Sequence, residues 1–172
     1  MKSNTITSIF IIDDDKLLTR TMKNELEQNF GKFNVEITTF ESGEAVDVTK
    51  NNQPDVAIID FHLNSENKTA MNGVKIIDMF RKKSPDTEII MFTGEDNATI
   101  AVTAMHHGAH DYVVKDDSMF SKLNMAIYQC LKLKELKQEL QLQKKLSYVS
   151  VAVLTLIIAI GLSISIIAPH SF

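Results

Sequence analysis

Four apolar runs in this chain end in side chains that suit a phosphoryl group. Val56–Ile59 ends in a lone carboxylate, Asp60, and residues 6–12 run straight into Asp13, Asp14 and Asp15. Two later runs end in Thr93 and Lys115. Two carboxylates about 4 Å apart repel by roughly 4 kcal/mol at an effective dielectric of 20, so they favour a bound cation or a raised pKa. Oxygen-only ligands with retained water are what Mg²⁺ accepts. A threonine hydroxyl can donate to a phosphoryl oxygen, and a lysine neutralises its charge. Phosphoryl transfer rests mainly on in-line positioning and charge neutralisation, and a carboxylate nucleophile would give an aspartyl phosphate. Each residue has a plainer reading alone. Asp60 can cap a turn, the three aspartates can cap a helix, and Thr93 and Lys115 can be a cap and a solvated surface lysine.

The elements must bring these ends together. Residues 6–12 read as a strand, followed by a helix with Leu18, Met22, Leu26 and Phe30 on one stripe and a stop at Gly31. Residues 34–40 give a second strand, and Ser42 opens a helix to about Asn52. Pro54 breaks the chain before Val56–Ile59, an uninterrupted apolar run of the kind buried on both faces of a parallel sheet. Residues 64–72 read as an exposed loop into Gly73. Val74, Ile77 and Phe80 form the apolar face of a third helix, ended by Ser84-Pro85. Residues 87–92 form a fourth strand. A helix from about Asp96 to His107 turns Ala101, Ala104 and Met105 inward, and Gly108 closes it. Residues 111–114 form the fifth strand, and a last helix from about Ser118 runs on without Gly or Pro through residue 145. Strict alternation predicts an α/β fold, a doubly wound five-stranded parallel sheet with helices on both faces. Ligands of such sheets bind outside the carboxyl ends of the strands.

Composition bounds the rest. With 172 residues, 44% hydrophobic and 23% charged, the chain has room for one globular domain and an appendage. A net charge of −4 gives no reason to expect nucleic acid. The single cysteine, Cys130, excludes an internal disulfide. His106, His107 and His110 sit at a helix end, where cationic imidazoles are favourable. Residues 148–168 hold no charge and would make about 31 Å of helix, enough to cross a hydrocarbon core of roughly 30 Å. Five lysines (Lys132, Lys134, Lys137, Lys144, Lys145) precede them, and residues 169–172 carry neither Lys nor Arg. The positive-inside rule then places the preceding domain in the cytoplasm.

Taken in order, these motifs resemble the receiver domain of two-component response regulators, over residues 6 to about 130. Ile-Ile-Asp-Asp-Asp at 11–15 is similar to the acidic pocket, with Asp13 and Asp14 at the metal pair. Asp60 in Pro-Asp-Val-Ala-Ile-Ile-Asp matches the phosphoacceptor, Thr93 in Ile-Ile-Met-Phe-Thr-Gly the switch hydroxyl, and Tyr112 the switch aromatic before Lys115. The resemblance implies a flavodoxin-like (βα)5 receiver. It also implies Mg²⁺ held by Asp14, Asp60 and the His62 backbone carbonyl, with Asp13 acting through water. The implied phosphodonor is a histidine kinase or phosphotransfer protein, and output goes to an unknown downstream protein.

Three departures from the family stand out: Lys115-Asp116 where Lys-Pro is usual, Asn64 where a proline is usual, and a glycine delayed to Gly73 by about five inserted residues. The domain plan that follows is a receiver at 1–130, a helical connector at 131–147, a transmembrane helix at 148–168 and a tail at 169–172. The chain is expected to be a single-pass protein of the cytoplasmic (inner) membrane, a phosphoacceptor rather than an enzyme. Leu133, Leu136 and Leu140, with Gly161 and Ser165, would favour a homodimer. The rival is a receiver-like adaptor that works without phosphorylation. A haloacid-dehalogenase-type phosphatase would want a second Asp where His62 stands, and no glycine fingerprint for a dinucleotide is present.

Overall fold

The computed structural model describes residues 6–49, 52–63 and 71–167. Contacts divide the chain into two compact units, Met1–Leu131 and Lys132–Phe172. The first is built on five strands: β1 (Thr7–Ile12), β2 (Val35–Phe40), β3 (Val56–Ile59), β4 (Glu88–Thr93) and β5 (Asp111–Val114). All pair in parallel, in the order β2-β1-β3-β4-β5, the flavodoxin-like order. The helices are α1 (Lys16–Phe30), α2 (Gly73–Lys83), α3 (Ala98–His106) and α4 (Met119–Ile167).

The apolar runs are continuous because both sheet faces are covered. Ile9, Ile11, Ile58, Ile90 and Phe92 point to one side, against Met22, Leu26 and Phe30 of α1 and Leu123, Ile127 and Cys130 of α4. Phe10, Ile12, Ala57, Ile59 and Met91 point to the other, against Ile76, Ile77 and Phe80 of α2 and Ala104 of α3. Truncating any of the large side chains to Ala would cost about 2–5 kcal/mol. This double-sided core is what fixes the heights of the strand ends.

The connection between β2 and β3 is not the expected helix. Ser42 does cap a turn, its Oγ accepting from the Ala45 N–H at 3.3 Å, but only the 3₁₀ turn Gly43–Ala45 forms. Val46 then turns extended, at φ −77° and ψ 110°. Val46 and Val48 are both buried in the second core layer. Alternate β-branched residues fit an extended strip better than a helix, and one valine pair covers this edge of the sheet.

Smaller differences share that logic. Gly31 opens a 3₁₀ turn (Gly31–Phe33), and the left-handed residue that reverses the chain is Asn34, φ 53°, one of the few residue types that tolerate it. Gly108 does take a positive φ, 104°, at the end of α3. Only Ala104 of α3 is buried, and Met105 faces outward, so the expected inward face of that helix is narrower. On α2 the buried stripe uses Ile76 with Ile77 and Phe80, and Val74 lies half-buried. Of the inserted loop, positions 64–70, Asn64 included, lie outside the described residues. Its end is anchored, since the Met71 N–H donates to Glu44 Oε1 at 2.7 Å, which holds the Glu44 carboxyl below the usual carboxylate range.

In the second unit the helix continues to Ile167. It is long and apolar enough to cross a membrane by length and composition, and its apolar side chains are exposed. The Gly161 and Ser165 side chains and the tail at 169–172 lie outside the described residues.

Candidate functional site

Strand register assembles the site. Ile12 aligns with Ile59, and Thr93 with Val114, so Asp13, Asp60, Thr93 and Lys115 emerge at one edge. Backbone bonds extend the ladder by one residue: Asp60 N–H to Ile12 O at 2.9 Å, Asp13 N–H to Phe40 O at 3.0 Å and Lys115 N–H to Thr93 O at 2.8 Å.

The side chains then converge. The Lys115 ammonium donates to Asp13 Oδ2 at 2.8 Å and lies 3.1 Å from Asp60 Oδ2. Its Nζ is 5.3 Å from the centroid of the Phe92 ring, whose face supports the cation. Asp13, Asp14 and Asp60 place one carboxylate oxygen each within 4.8 Å of the others. Asp15 takes a different role. It caps α1, accepting from the Leu17 and Leu18 N–H groups at 2.9 and 3.0 Å.

Charge does not balance among these groups. Two buried carboxylates, Asp13 and Asp60, share one ammonium, and the exposed Asp14 adds a further negative charge. Burial pushes the Asp13 carboxyl up, outweighing the hydrogen bonds from Lys115 and the Asp15 N–H. Burial also opposes the charge on Lys115, but its hydrogen bond to Asp13 and the charge of Asp60 win and raise its pKa. Asp60 Oδ1 is buried and has no hydrogen-bond partner among the described residues. A buried acceptor without a donor costs about 1–3 kcal/mol. Excess negative charge, oxygen-only donors and an orphaned carboxylate oxygen fit a small divalent cation of the Mg²⁺ type.

The Asp13 shift has a consequence for stability. Its native pKa lies above the unfolded value of 3.8, so the native state holds the extra proton and ionising Asp13 costs stability as pH rises past 3.8. Without divalent cation, Asp13→Asn should therefore stabilise the protein at pH 7, by on the order of 1 kcal/mol. The gain should shrink toward pH 4. Thermal melts in chelator at both pH values test this; an equal gain at each would contradict it.

Glu95, which residue type and spacing do not single out, links the surrounding loops. Its Oε1 lies 2.6 Å from His62 Nε2, its backbone carbonyl accepts from the Tyr112 hydroxyl, and its N–H donates to Thr93 Oγ1 at 3.4 Å. The His62 ring is thus turned to Glu95, and Tyr112 bonds the loop after β4 rather than the acids. Thr93 is fully buried. The histidines near the end of α3 make ordinary pairs: His107 Nδ1 with Asp78 at 2.7 Å and His110 Nδ1 with Glu88 at 3.4 Å. Lys115-Asp116 forms a turn without a cis bond among the described residues.

Known proteins agree with this arrangement. The profile of the family described as "Response regulator receiver domain" matches residues 9–127. Photosynthetic apparatus regulatory protein RegA of Rhodobacter capsulatus is 29% identical over 109 residues, covering 63% of this chain and 54% of its own. Acid tolerance regulatory protein ActR of Rhizobium meliloti is 32% identical over 108 residues, covering 63% and 52%. A response regulator receiver domain protein from Clostridium thermocellum superposes with a TM-score of 0.63 at 26% identity, over 76% of this chain and 98% of that one. The chain belongs to the response regulator receiver domain family. It spans about half the length of these two curated relatives.

Proposed function

We propose that this protein is a membrane-tethered response regulator that accepts a phosphoryl group on Asp60 and signals by docking to another protein. The observation that carries the reading is the buried, unpartnered Asp60 Oδ1 beside the Lys115 ammonium. One Asp60 oxygen is held by Lys115 and the other has no donor among the described residues. A lone pair on that carboxylate can form the bond to phosphorus while the donor's bond to phosphorus breaks, and the leaving group takes up a proton. Lys115 neutralises the charge that arrives on the phosphoryl oxygens. Thr93 ends the neighbouring strand, and its hydroxyl is the group to turn toward them. Mg²⁺, held by Asp13, Asp14, Asp60 and the His62 carbonyl, would supply the remaining positive charge. The donor is a histidine kinase or a phosphotransfer protein, and the chain acts as acceptor rather than as a turnover enzyme. Glu95 gives Thr93 and Tyr112 a shared contact, through which phosphorylation would reach the surface formed by α3, β5 and α4.

The tether reading rests on the second unit. In the apolar stretch, Ser150, Thr155 and Ser163 each donate their hydroxyl to a carbonyl of the same helix, at 2.8, 2.8 and 2.9 Å. These polar groups would therefore enter lipid already satisfied, which is the condition a spanning helix must meet. Full-length protein should resist extraction of membranes at alkaline pH, and a chain ending at residue 147 should be released. Release of both would remove the tether.

Phosphorylation is tested on the full chain in detergent micelles with radiolabelled acetyl phosphate. Label should require Mg²⁺ and disappear in Asp60→Ala. Label-free, folded wild-type protein beside a labelled receiver control would favour an adaptor that keeps the fold without the chemistry.

A further inference from the structure

Residues 42–45 open like a helix and stop after one 3₁₀ turn, and Glu44 in that turn reaches across to the start of α2. Its Oε1 accepts from the Met71 N–H at 2.7 Å. The Met71 N–H and the N–H of Glu44 itself hold the carboxyl below the usual range, and the charge of Lys75 adds to them, so the bond is charge-assisted at neutral pH. The turn also packs on the same segment. A Cβ at Gly43 would lie 2.7 Å from Ile76 Cδ1 and 3.0 Å from Met71 Cβ. Asn72 caps α2, its Oδ1 accepting from the Lys75 N–H at 3.0 Å. Gly73 then meets the phosphoacceptor's own backbone: its N–H donates to Phe61 O at 3.1 Å, and a Cβ there would lie 2.7 Å from Asp60 O. Residues 71–73 are thus gripped by Glu44 on one side and support Asp60 on the other.

We propose that Glu44 is a positioning residue for Asp60, holding Met71 so that the start of α2 fixes the backbone that carries the phosphoacceptor. Glu44 is no member of the acidic cluster of Asp13, Asp14 and Asp60, and it acts through Met71 and Gly73. The connection between Asp60 and α2 is longer than the family's by about five residues. A longer connection ties its two ends together more weakly through the chain, so contacts across space must do the fixing. The inference rests on Asp60 being the phosphoacceptor.

Two substitutions separate the hydrogen bond from the charge. Glu44→Ala removes the acceptor, whereas Glu44→Gln keeps an oxygen of the same reach and removes only the charge. Loss of one hydrogen bond shifts the docked arrangement by about two- to tenfold. Exchange of the Gly73 amide with deuterium should accelerate by that factor in Glu44→Ala, and labelling of Asp60 should slow about two- to fivefold. Glu44→Gln should stay within about twofold of wild type in both. Ile37→Val, in the core layer on the opposite face of the sheet, is the control for a general loss of stability and should label like wild type.

The experiment uses the full chain in micelles. Labelling rates are measured with Mg²⁺ and acetyl phosphate, and Gly73 exchange by mass spectrometry with single-amide fragmentation. Faster exchange and slower labelling in Glu44→Ala, both restored in Glu44→Gln, support the proposal. Equal slowing in the Gln and Ala variants would assign the effect to charge and overturn it. Unchanged labelling in Glu44→Ala, or equal slowing in Ile37→Val, would leave Glu44 a structural contact with no role in positioning Asp60, and would overturn it too. A folded wild type that takes no label removes both this role and the reading beneath it.

Discussion

Lys115→Met should slow labelling of Asp60 by about a hundredfold, the scale seen when one preorganised charge-stabilising group is removed from a transition state. The ammonium reaches both buried carboxylates, at 2.8 Å to Asp13 and 3.1 Å to Asp60, and no other basic group does so among the described residues. Without it the incoming phosphoryl oxygens meet carboxylates alone. The same substitution should destabilise cation-free protein by about 3 kcal/mol at neutral pH, because two buried acids lose their counter-ion. The pH dependence follows from the directions of the shifts. The raised pKa of Lys115 means that its stabilisation is complete below 10.5 and is lost only as pH rises through its native value. The penalty of the substitution should ease in acid, where Asp13 takes a proton. Melts of wild type and variant at pH 7 and pH 4 measure it, and a penalty that grows in acid would contradict the charge bookkeeping.

Gly73→Ala should be the most damaging single methyl in the domain. A Cβ at Gly73 would lie 2.7 Å from Asp60 O and 2.9 Å from Phe61 Cα, both backbone. Neither can swing aside as a flexible side chain would. The Gly73 N–H also donates to Phe61 O at 3.1 Å, so the start of α2 is laced to the segment that carries Asp60. Overpacking of this kind costs about 1–3 kcal/mol. It should also slow labelling at least tenfold, since a displacement of about 1 Å at a reacting centre is worth more than that. Denaturant titration and labelling rates read the two effects separately. Unchanged labelling in a folded Gly73→Ala protein would show that the loop after β3 relaxes without moving Asp60.

What the sequence made legible followed from physical causes. Continuous apolar runs marked strands covered on both faces, and the carboxyl ends of parallel strands marked the place where Asp13, Asp60, Thr93 and Lys115 would gather. Residue type carried the chemistry, so these positions were readable without the fold. The segment after β2 was not. Ser42, Glu44 and Ala45 open it like a helix, but Val46 and Val48 are claimed by the second core layer, and tertiary burial overrides the local start. Glu95 gave no signal, because its links to His62 and Tyr112 join parts of the chain that only the fold brings together. Gly73 was legible as a family glycine, while its reason, the approach to the Asp60 backbone, is a distance that no spacing contains. Asp116 looked like a departure that put the turn in doubt; hydrogen bonds to Ser118 and Lys122 hold that turn.

The central claim is a covalent bond at one oxygen of one residue, and borohydride trapping tests it most directly. Full-length protein in micelles is incubated with Mg²⁺ and acetyl phosphate, reduced with borohydride, digested and sequenced by mass spectrometry. An acyl phosphate at Asp60 is reduced to homoserine at that position. Homoserine at position 60, dependent on both Mg²⁺ and phosphodonor, is the predicted result. Unmodified Asp60 in folded protein, or homoserine at another aspartate, would contradict the account.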